Sequence, residues 1–388
     1  ARNGKVVWHK PYGTHTYQRR RRVETGDIYD LASITKATAP LAALMRLRDQ
    51  GKFHEDSTLG SYAPIPDTCN KGDLLIADIL THQAGLIPWI PFYYKTLEPL
   101  DTSQQLVSKF WTHTHPLKLG TDTYLNRNVK YVDGYYEKEW SPGFPYQVAE
   151  DLYLRRDLHD SIYKWIYQSE LIRREYRYSG LGFFLFHRII EEATDTLLYP
   201  YLWNNFYAPL GARTLGYRPL KRFPREQVVP TENDLFFRRQ LLRGHVHDQS
   251  AALMGGVSGN AGLFGNANDL AKMWQMYLNF GTYGGRRYID SATLAFYTSP
   301  HHPVKENRRG MGFDRPVTWE EDEGPACNSA SDKSFGHSGF TGTLVWADPS
   351  HGLLYVFLSN RVHPDQANDR LIEMDVRTAV QQAIYDAL

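Results

Sequence analysis

Tyr29-Asp30-Leu31-Ala32-Ser33-Ile34-Thr35-Lys36 is the stretch on which the reading turns. It sets a serine three residues ahead of a lysine, where a helical periodicity begins. Leu41, Leu44, Met45 and Arg48 continue that periodicity and Gly51 stops it, so the spacing predicts a helix over residues 34–50. Residues three apart share a helix face, which brings the Lys36 ammonium beside the Ser33 hydroxyl. A serine hydroxyl is a poor nucleophile until a neighbouring base takes its proton. The start of a helix adds partial positive charge and free backbone N–H groups that can hold an oxyanion. Partial burial lowers a lysine toward a useful range. Pro40 removes one backbone donor and leaves the Lys36 carbonyl unpaired, which predicts a kink.

The same Ser-x-x-Lys spacing occurs again at Ser161-Ile162-Tyr163-Lys164. No strand or sharp turn precedes it, and it reads as packing or surface. Two other elements favour the first occurrence. Tyr178-Ser179-Gly180 opens a helix whose apolar face is Leu181, Phe184, Leu185 and Ile189, ending near Asp195. The phenol then projects into a cleft, and a tyrosinate beside an ammonium serves as a general base. Taken singly, Tyr178 is one of 26 tyrosines and packing is its default role. Phe335-Gly336-His337-Ser338-Gly339-Phe340-Thr341-Gly342-Thr343 enters a strand on which His337 and Gly339 share a face. Glycine lets another backbone approach closely. A free strand edge there can hold an extended acyl substrate, and the Phe340 N–H can complete an oxyanion hole with that of Ser33. A lone His-x-Gly reads as a turn.

The bulk numbers exclude several classes. With 388 residues and 42% hydrophobic content, the chain can form one large domain or two lobes. Lys plus Arg number 44 and Asp plus Glu 43, so a formal charge of +1 gives no electrostatic reason to bind nucleic acid or an acidic membrane. The one basic run, residues 19–22, reads as a solvated turn. Cys69 and Cys327 allow one disulfide at most and no cysteine metal site, leaving the redox compartment open. No apolar run approaches the roughly 18 residues of a membrane span, and no signal peptide is visible. His245-Val246-His247-Asp248 and His113-Thr114-His115 have the look of metal-ligand pairs. Neither has a further partner at diagnostic spacing, so no metal and no cofactor is expected, and His247-Asp248 reads as a buried hydrogen-bonded loop.

Along the chain, strands are predicted at residues 5–9 and 12–17, after the hairpin-turn pair Asn3-Gly4. Only two residues precede that turn, so an upstream strand, helix or domain is expected. A short helix is predicted over 76–82, closed by Gly85, and Asn268 and Asp269 are expected to cap a helix running to about Phe280. Two strands, 342–347 and 353–358, flank the turn Asp348-Pro349-Ser350-His351-Gly352. Residues 365–388 read as a helix with Ile372, Val376, Val380 and Ile384 on one face. Strands at both ends with helices between predict an α+β fold, an antiparallel sheet flanked by helices. Residues 1–51 and 268–388 would form that lobe, and residues 52–267 a mostly helical one.

In this order, Ser33-x-x-Lys36, Tyr178-x-x and His337-x-Gly339 resemble the motif set of the serine β-lactamase and penicillin-binding protein superfamily. The chain is most similar to the class C-like branch, which includes D-aminopeptidases, esterases and muropeptide amidases. Further segments resemble it too: Leu80-Thr81-His82-Gln83-Ala84-Gly85-Leu86, Gly259-Asn260-Ala261-Gly262-Leu263-Phe264 and Phe357-Leu358-Ser359-Asn360-Arg361-Val362-His363-Pro364. The resemblance implies a β-lactamase/transpeptidase-like fold with the site between sheet and helical lobe. It implies that Ser33 is acylated, that Lys36 and Tyr178 share the proton work, and that His337 orients the proton network or the substrate. Two departures stand out. Gly180 occupies a place usually held by Asn or Asp, which puts substrate amide binding and the setting of Lys36 in question. His337 stands where many relatives carry lysine, which weakens the case for an efficient β-lactamase. The long stretch from Ser33 to Tyr178 is expected to shape a specific cleft with Trp89, Tyr93 and Tyr94. A similar branch is fused behind a glycoside hydrolase that trims N-acetylglucosamine from cell-wall fragments, and some of its members free the peptide from N-acetylmuramic acid. A serine amidase or peptidase on muropeptides, outside the cytoplasm and paired with or fused to such a hydrolase, is therefore the leading expectation. A carboxylesterase or weak β-lactamase is the second, and an impaired peptidoglycan-binding module the third.

Overall fold

The computed structural model describes residues 1–63, 65–66, 69–120, 122–317 and 324–388. The fold is α+β. Near its C-terminal end the chain forms an antiparallel sheet of Phe335–Ser338, Leu344–Asp348 and Leu353–Phe357, in that spatial order. Successive side chains alternate faces, as pleating requires. Val345 and Ala347 enter the main core, while Leu344 and Trp346 pack with Tyr355, Ala326 and Ile384 on the other side. The Ala267–Leu278 helix covers the first face, with Trp274 stacked on Phe335 at 6.3 Å. The Val376–Asp386 helix covers the second through Ile384. The chain start runs along the outer edge: the Leu354 N–H donates to the Ala1 carbonyl (2.8 Å) and the Asn3 N–H to that of Gly352 (2.7 Å). The chain start thus touches the sheet edge through a single bridge, Arg2 with Leu353, and adds no strand to it among the described residues.

Several local expectations change. Asn3 and Gly4 turn with φ 49 and 74, closed by reciprocal Arg2–Lys5 hydrogen bonds. The strands expected beyond them do not form. Val6, Val7 and Trp8 are 62%, 71% and 69% exposed, and residues 12–17 are reduced to a single bridge between Thr14 and Arg22. β-Branched residues favour a strand only where a neighbour receives their backbone groups, and among the described residues 6–9 have none. Between Leu97 and Leu154, where helical pieces were expected, the described residues carry eight short strands. Tyr146–Ala149 and Leu152–Leu154 pair across a tight turn in which Asp151 takes φ 51. Leu97–Pro99 pairs with the distant Val129–Tyr131, a contact no local period announces. The cap of the Ala267–Leu278 helix is Asn266, whose side chain accepts the Asp269 N–H at 2.8 Å.

Pro40 breaks the helix rather than kinking it. Ile34–Thr38 and Pro40–Asp49 are separate, with Ala39 at φ −116 and ψ −87. The break frees carbonyls in the core, and buried phenols satisfy them: Tyr277 donates to the Ala37 carbonyl (2.8 Å) and Tyr207 to that of Thr38 (3.1 Å). Cys69 and Cys327 are both free thiols. Among the described residues no helix is long and apolar enough to cross a membrane.

Candidate active site

Ser33 sits at the tip of a tightly held turn. Asp30 pairs with Phe264 in a short antiparallel ladder, and Ala32 then takes φ 46, a left-handed conformation costly for a residue with a side chain. The buried Asp30 carboxylate holds that turn by accepting the Ala32 N–H at 2.8 Å and the His247 N–H at 2.7 Å. Burial raises the Asp30 carboxyl above its usual range, and these two donors pull it back. The strand motif clamps the same turn: Thr341 Oγ1 donates to the Asp30 carbonyl (2.8 Å) and Thr343 Oγ1 to that of Leu31 (3.2 Å). Gly339 permits this approach, because a Cβ there would lie 2.1 Å from Thr343 Oγ1 and 2.6 Å from the Leu31 carbonyl. The adjoining Phe340 is half exposed and lies between His247, stacked at 5.6 Å, and the Arg361 guanidinium, 4.5 Å from its ring centre. Among the described residues, the N–H groups of Ser33 and Phe340 have no protein acceptor.

Lys36 is 3% exposed. Its Nζ donates to Ser33 Oγ at 3.0 Å and to the Asn260 carbonyl at 2.8 Å, and lies 5.4 Å and 5.7 Å from the ring centres of Tyr178 and Phe183. The Asn260 carbonyl therefore holds the lysine where a side chain at position 180 would be expected to. The Gly180 N–H is itself taken by the Pro88 carbonyl at 3.1 Å. Ser179 fixes the motif by donating its hydroxyl to the Ile87 carbonyl (2.7 Å) and its N–H to His82 Nδ1 (3.2 Å).

The Tyr178 ring lies 4.5 Å from that of His82 and 6.2 Å from that of His337. Among the described residues its hydroxyl is buried without a protein partner, as are His82 Nε2, His337 Nε2 and Arg309 Nη1. The tautomers follow from the other ring nitrogens. His82 Nδ1 accepts an N–H, so a neutral His82 carries its proton on Nε2; His337 Nδ1 lies 2.7 Å from the Ser338 carbonyl, so it donates and Nε2 keeps a lone pair. Both rings are neutral near pH 7. Burial, then the Arg309 and Lys36 charges, lower His337 to about 3, and the same causes push His82 well below its usual value.

Burial also lowers His245, outside this cluster, to about 4. Histidines held neutral in the fold but free to protonate when unfolded make stability fall as pH drops below the unfolded value of about 6.5. The loss at pH 5 is on the order of 2 kcal/mol per such histidine. Asp30, raised by burial, works the other way, but the three histidines outnumber it. The thermal unfolding midpoint should therefore drop clearly between pH 7 and pH 5. A midpoint unchanged or higher at pH 5 would refute neutral burial of these rings.

The structure thus brings Ser33, Lys36, Tyr178, His337, Gly339 and Phe340 to one place. It separates the second Ser-x-x-Lys pair, which lies on the Arg156–Gln168 helix with Ser161 donating to the Asp157 carbonyl of its own turn. Asp248 caps the Gln249–Leu253 helix, and His115 Nε2 lies against the Gln105 carbonyl at 2.8 Å, so both histidine-rich motifs are tied into loops. Among the described residues no three His, Cys, Asp or Glu side chains assemble as a metal site. Sequence reasoning quoted His82 and Asn260 without giving them roles and passed over Arg309. An arginine in a polar loop reads as solvated, and nothing in its spacing signals burial.

The family model described as Beta-lactamase matches residues 1–129 and 139–377. The chain is 28% identical to an N-acetylmuramyl-L-alanine amidase of Bacillus subtilis (strain 168), the match covering all of this chain and 84% of that protein. It is also 28% identical to a provisionally named D-alanyl-D-alanine carboxypeptidase of Escherichia coli (strain K12), over 89% of this chain and 72% of that one. Among solved structures it is similar to an octameric penicillin-binding protein homologue from Pyrococcus abyssi, with a TM-score of 0.59 at 17% identity, over 97% of this chain and 72% of that one.

Proposed function

The chain belongs to the Beta-lactamase family of serine hydrolases, and from that premise we propose that it cleaves a cell-wall muropeptide amide through an acyl-enzyme on Ser33. The observation that carries this reading is the contact between the buried Lys36 Nζ and Ser33 Oγ at 3.0 Å, with the Tyr178 ring against the lysine. Ser33 Oγ attacks the acyl carbonyl and gives its proton to the Lys36–Tyr178 pair. The oxyanion is received by the N–H groups of Ser33 and Phe340. The pair returns the proton to the departing amine, the C–N bond breaks, and the acyl group remains on Ser33. Water, deprotonated by the same pair, then releases the acid. Neutral His337 offers an acceptor nitrogen beside Tyr178 and orients this network.

Two points favour amide cleavage between N-acetylmuramic acid and its peptide over removal of a terminal D-alanine. The amidase relative is matched along the whole chain. A carboxypeptidase must also hold a free carboxylate, and the strand motif brings an uncharged His337 where a cation would serve that purpose. The extracytoplasmic setting and the pairing with a glycoside hydrolase belong to this same reading.

Incubation with a muropeptide carrying an intact lactyl–L-alanine amide, followed by mass spectrometry, tests it. Release of a peptide beginning with L-alanine is expected. Release of D-alanine, or cleavage of simple acyl esters alone, would overturn the amidase reading and leave a carboxypeptidase or an esterase.

A further inference from the structure

Arg309 packs its guanidinium 5.0 Å from the centre of the Tyr178 ring, against which Lys36 Nζ also lies at 5.4 Å. The arginine follows the Ser291–Thr298 helix in a loop and is only 4% exposed. Its Nε donates to the Tyr176 hydroxyl (2.9 Å) and its Nη2 to Asp314 Oδ2 (3.1 Å), while Nη1 is buried without a partner among the described residues. Asp314 is shared, because Arg308 Nη2 lies 3.0 Å from its Oδ1. One carboxylate thus answers two guanidinium groups, and the surplus charge on this side of the ring is positive. The other groups facing Tyr178 are the rings of His82 and His337 and the apolar Phe183 beside Lys36. His82 is neutral because its Nδ1 accepts an N–H, and burial, then the Arg309 and Lys36 charges, keep His337 neutral near pH 7, so neither cancels or adds to that charge. Their own downward shifts, to which Arg309 and Lys36 contribute after burial, register the same positive potential.

We propose that Arg309 is a positioning residue for acylation, supplying from a separate loop the fixed positive charge against Tyr178 that His337 does not bring from the strand. This rests on the reading of Ser33 as nucleophile and of Lys36 and Tyr178 as its proton acceptors. A fixed cation 5.0 Å from the ring stabilises the negative charge that develops on the phenol as Ser33 gives up its proton, and the pH dependence of acylation reads that effect. A merely structural arginine would alter the amount of active protein but not the pH at which activity appears.

The test is the pH dependence of the second-order rate of fluorophosphonate labelling, followed by intact mass. In Arg309→Gln the rising limb should move to higher pH by about one unit, while Asp314 keeps Arg308 as partner. Tyr176→Phe removes a hydrogen bond to Arg309 but not its charge, and its limb should stay in place. Asp314→Asn removes the opposing anion and should move the limb to lower pH, which carries the test alone if Arg309→Gln does not fold. An unmoved limb in Arg309→Gln, an equal shift in Tyr176→Phe, or an upward or absent shift in Asp314→Asn would overturn the proposal. Absence of labelling in the wild type would instead remove the Ser33 reading, and this one with it.

Discussion

Ser33→Ala is expected to abolish turnover while leaving the fold intact. The two halves of that expectation have separate grounds. The Ser33 side chain contributes no cap hydrogen bond to the Ile34–Thr38 helix, and among the described residues its one protein partner is Lys36 Nζ. Lys36 keeps the Asn260 carbonyl when the hydroxyl is gone. Loss of a part-buried hydroxyl with one hydrogen bond costs on the order of 1 kcal/mol, so the unfolding midpoint should stay close to the wild type. Turnover, by contrast, depends on the one oxygen that forms the acyl bond; Ser161 of the second Ser-x-x-Lys pair donates into its own helix, and Ser179 to the Ile87 carbonyl. Activity retained in a well-folded Ser33→Ala protein would end the acyl-enzyme mechanism.

Tyr178→Phe should slow acylation by about 10²–10⁴-fold, the usual worth of a positioned base. The phenol is a clean target, because its hydroxyl is buried with no protein partner among the described residues. Removing an unpaired polar atom from a buried place sacrifices no hydrogen bond, and the ring contacts with His82, Lys36 and Arg309 remain available to phenylalanine. Stability should hold or rise slightly while the single-turnover rate falls. An unchanged rate would leave Lys36 as the base and reduce Tyr178 to a wall of the site.

The parts of this account that were legible in the sequence are those written in short-range patterns. Ser33 and Lys36 share a helical turn, so their contact follows from spacing. The strands Leu344–Asp348 and Leu353–Phe357 announce themselves through apolar content around a turn. Motif order along the chain brought Tyr178 and His337 into the same expectation through family resemblance. Other features depend on contacts that no local pattern carries. Arg309 is buried against Tyr176 and Tyr178, which reach it from a segment more than a hundred residues earlier in the chain. Asn260 acts on Lys36 through its backbone carbonyl, which makes no use of its side-chain identity. The pairing of Leu97–Pro99 with Val129–Tyr131 joins segments separated in the chain by other short strands. Residues 6–9 failed in the opposite sense: their composition favours a strand, and no neighbouring backbone among the described residues pairs with them.

Intact-protein mass spectrometry after incubation with a fluorophosphonate, followed by peptide mapping, tests the central claim most directly. The account predicts a single adduct located on Ser33, formed because Lys36 Nζ lies within hydrogen-bond reach of that hydroxyl. An adduct on another residue, or none in a protein that still hydrolyses its substrate, would contradict it.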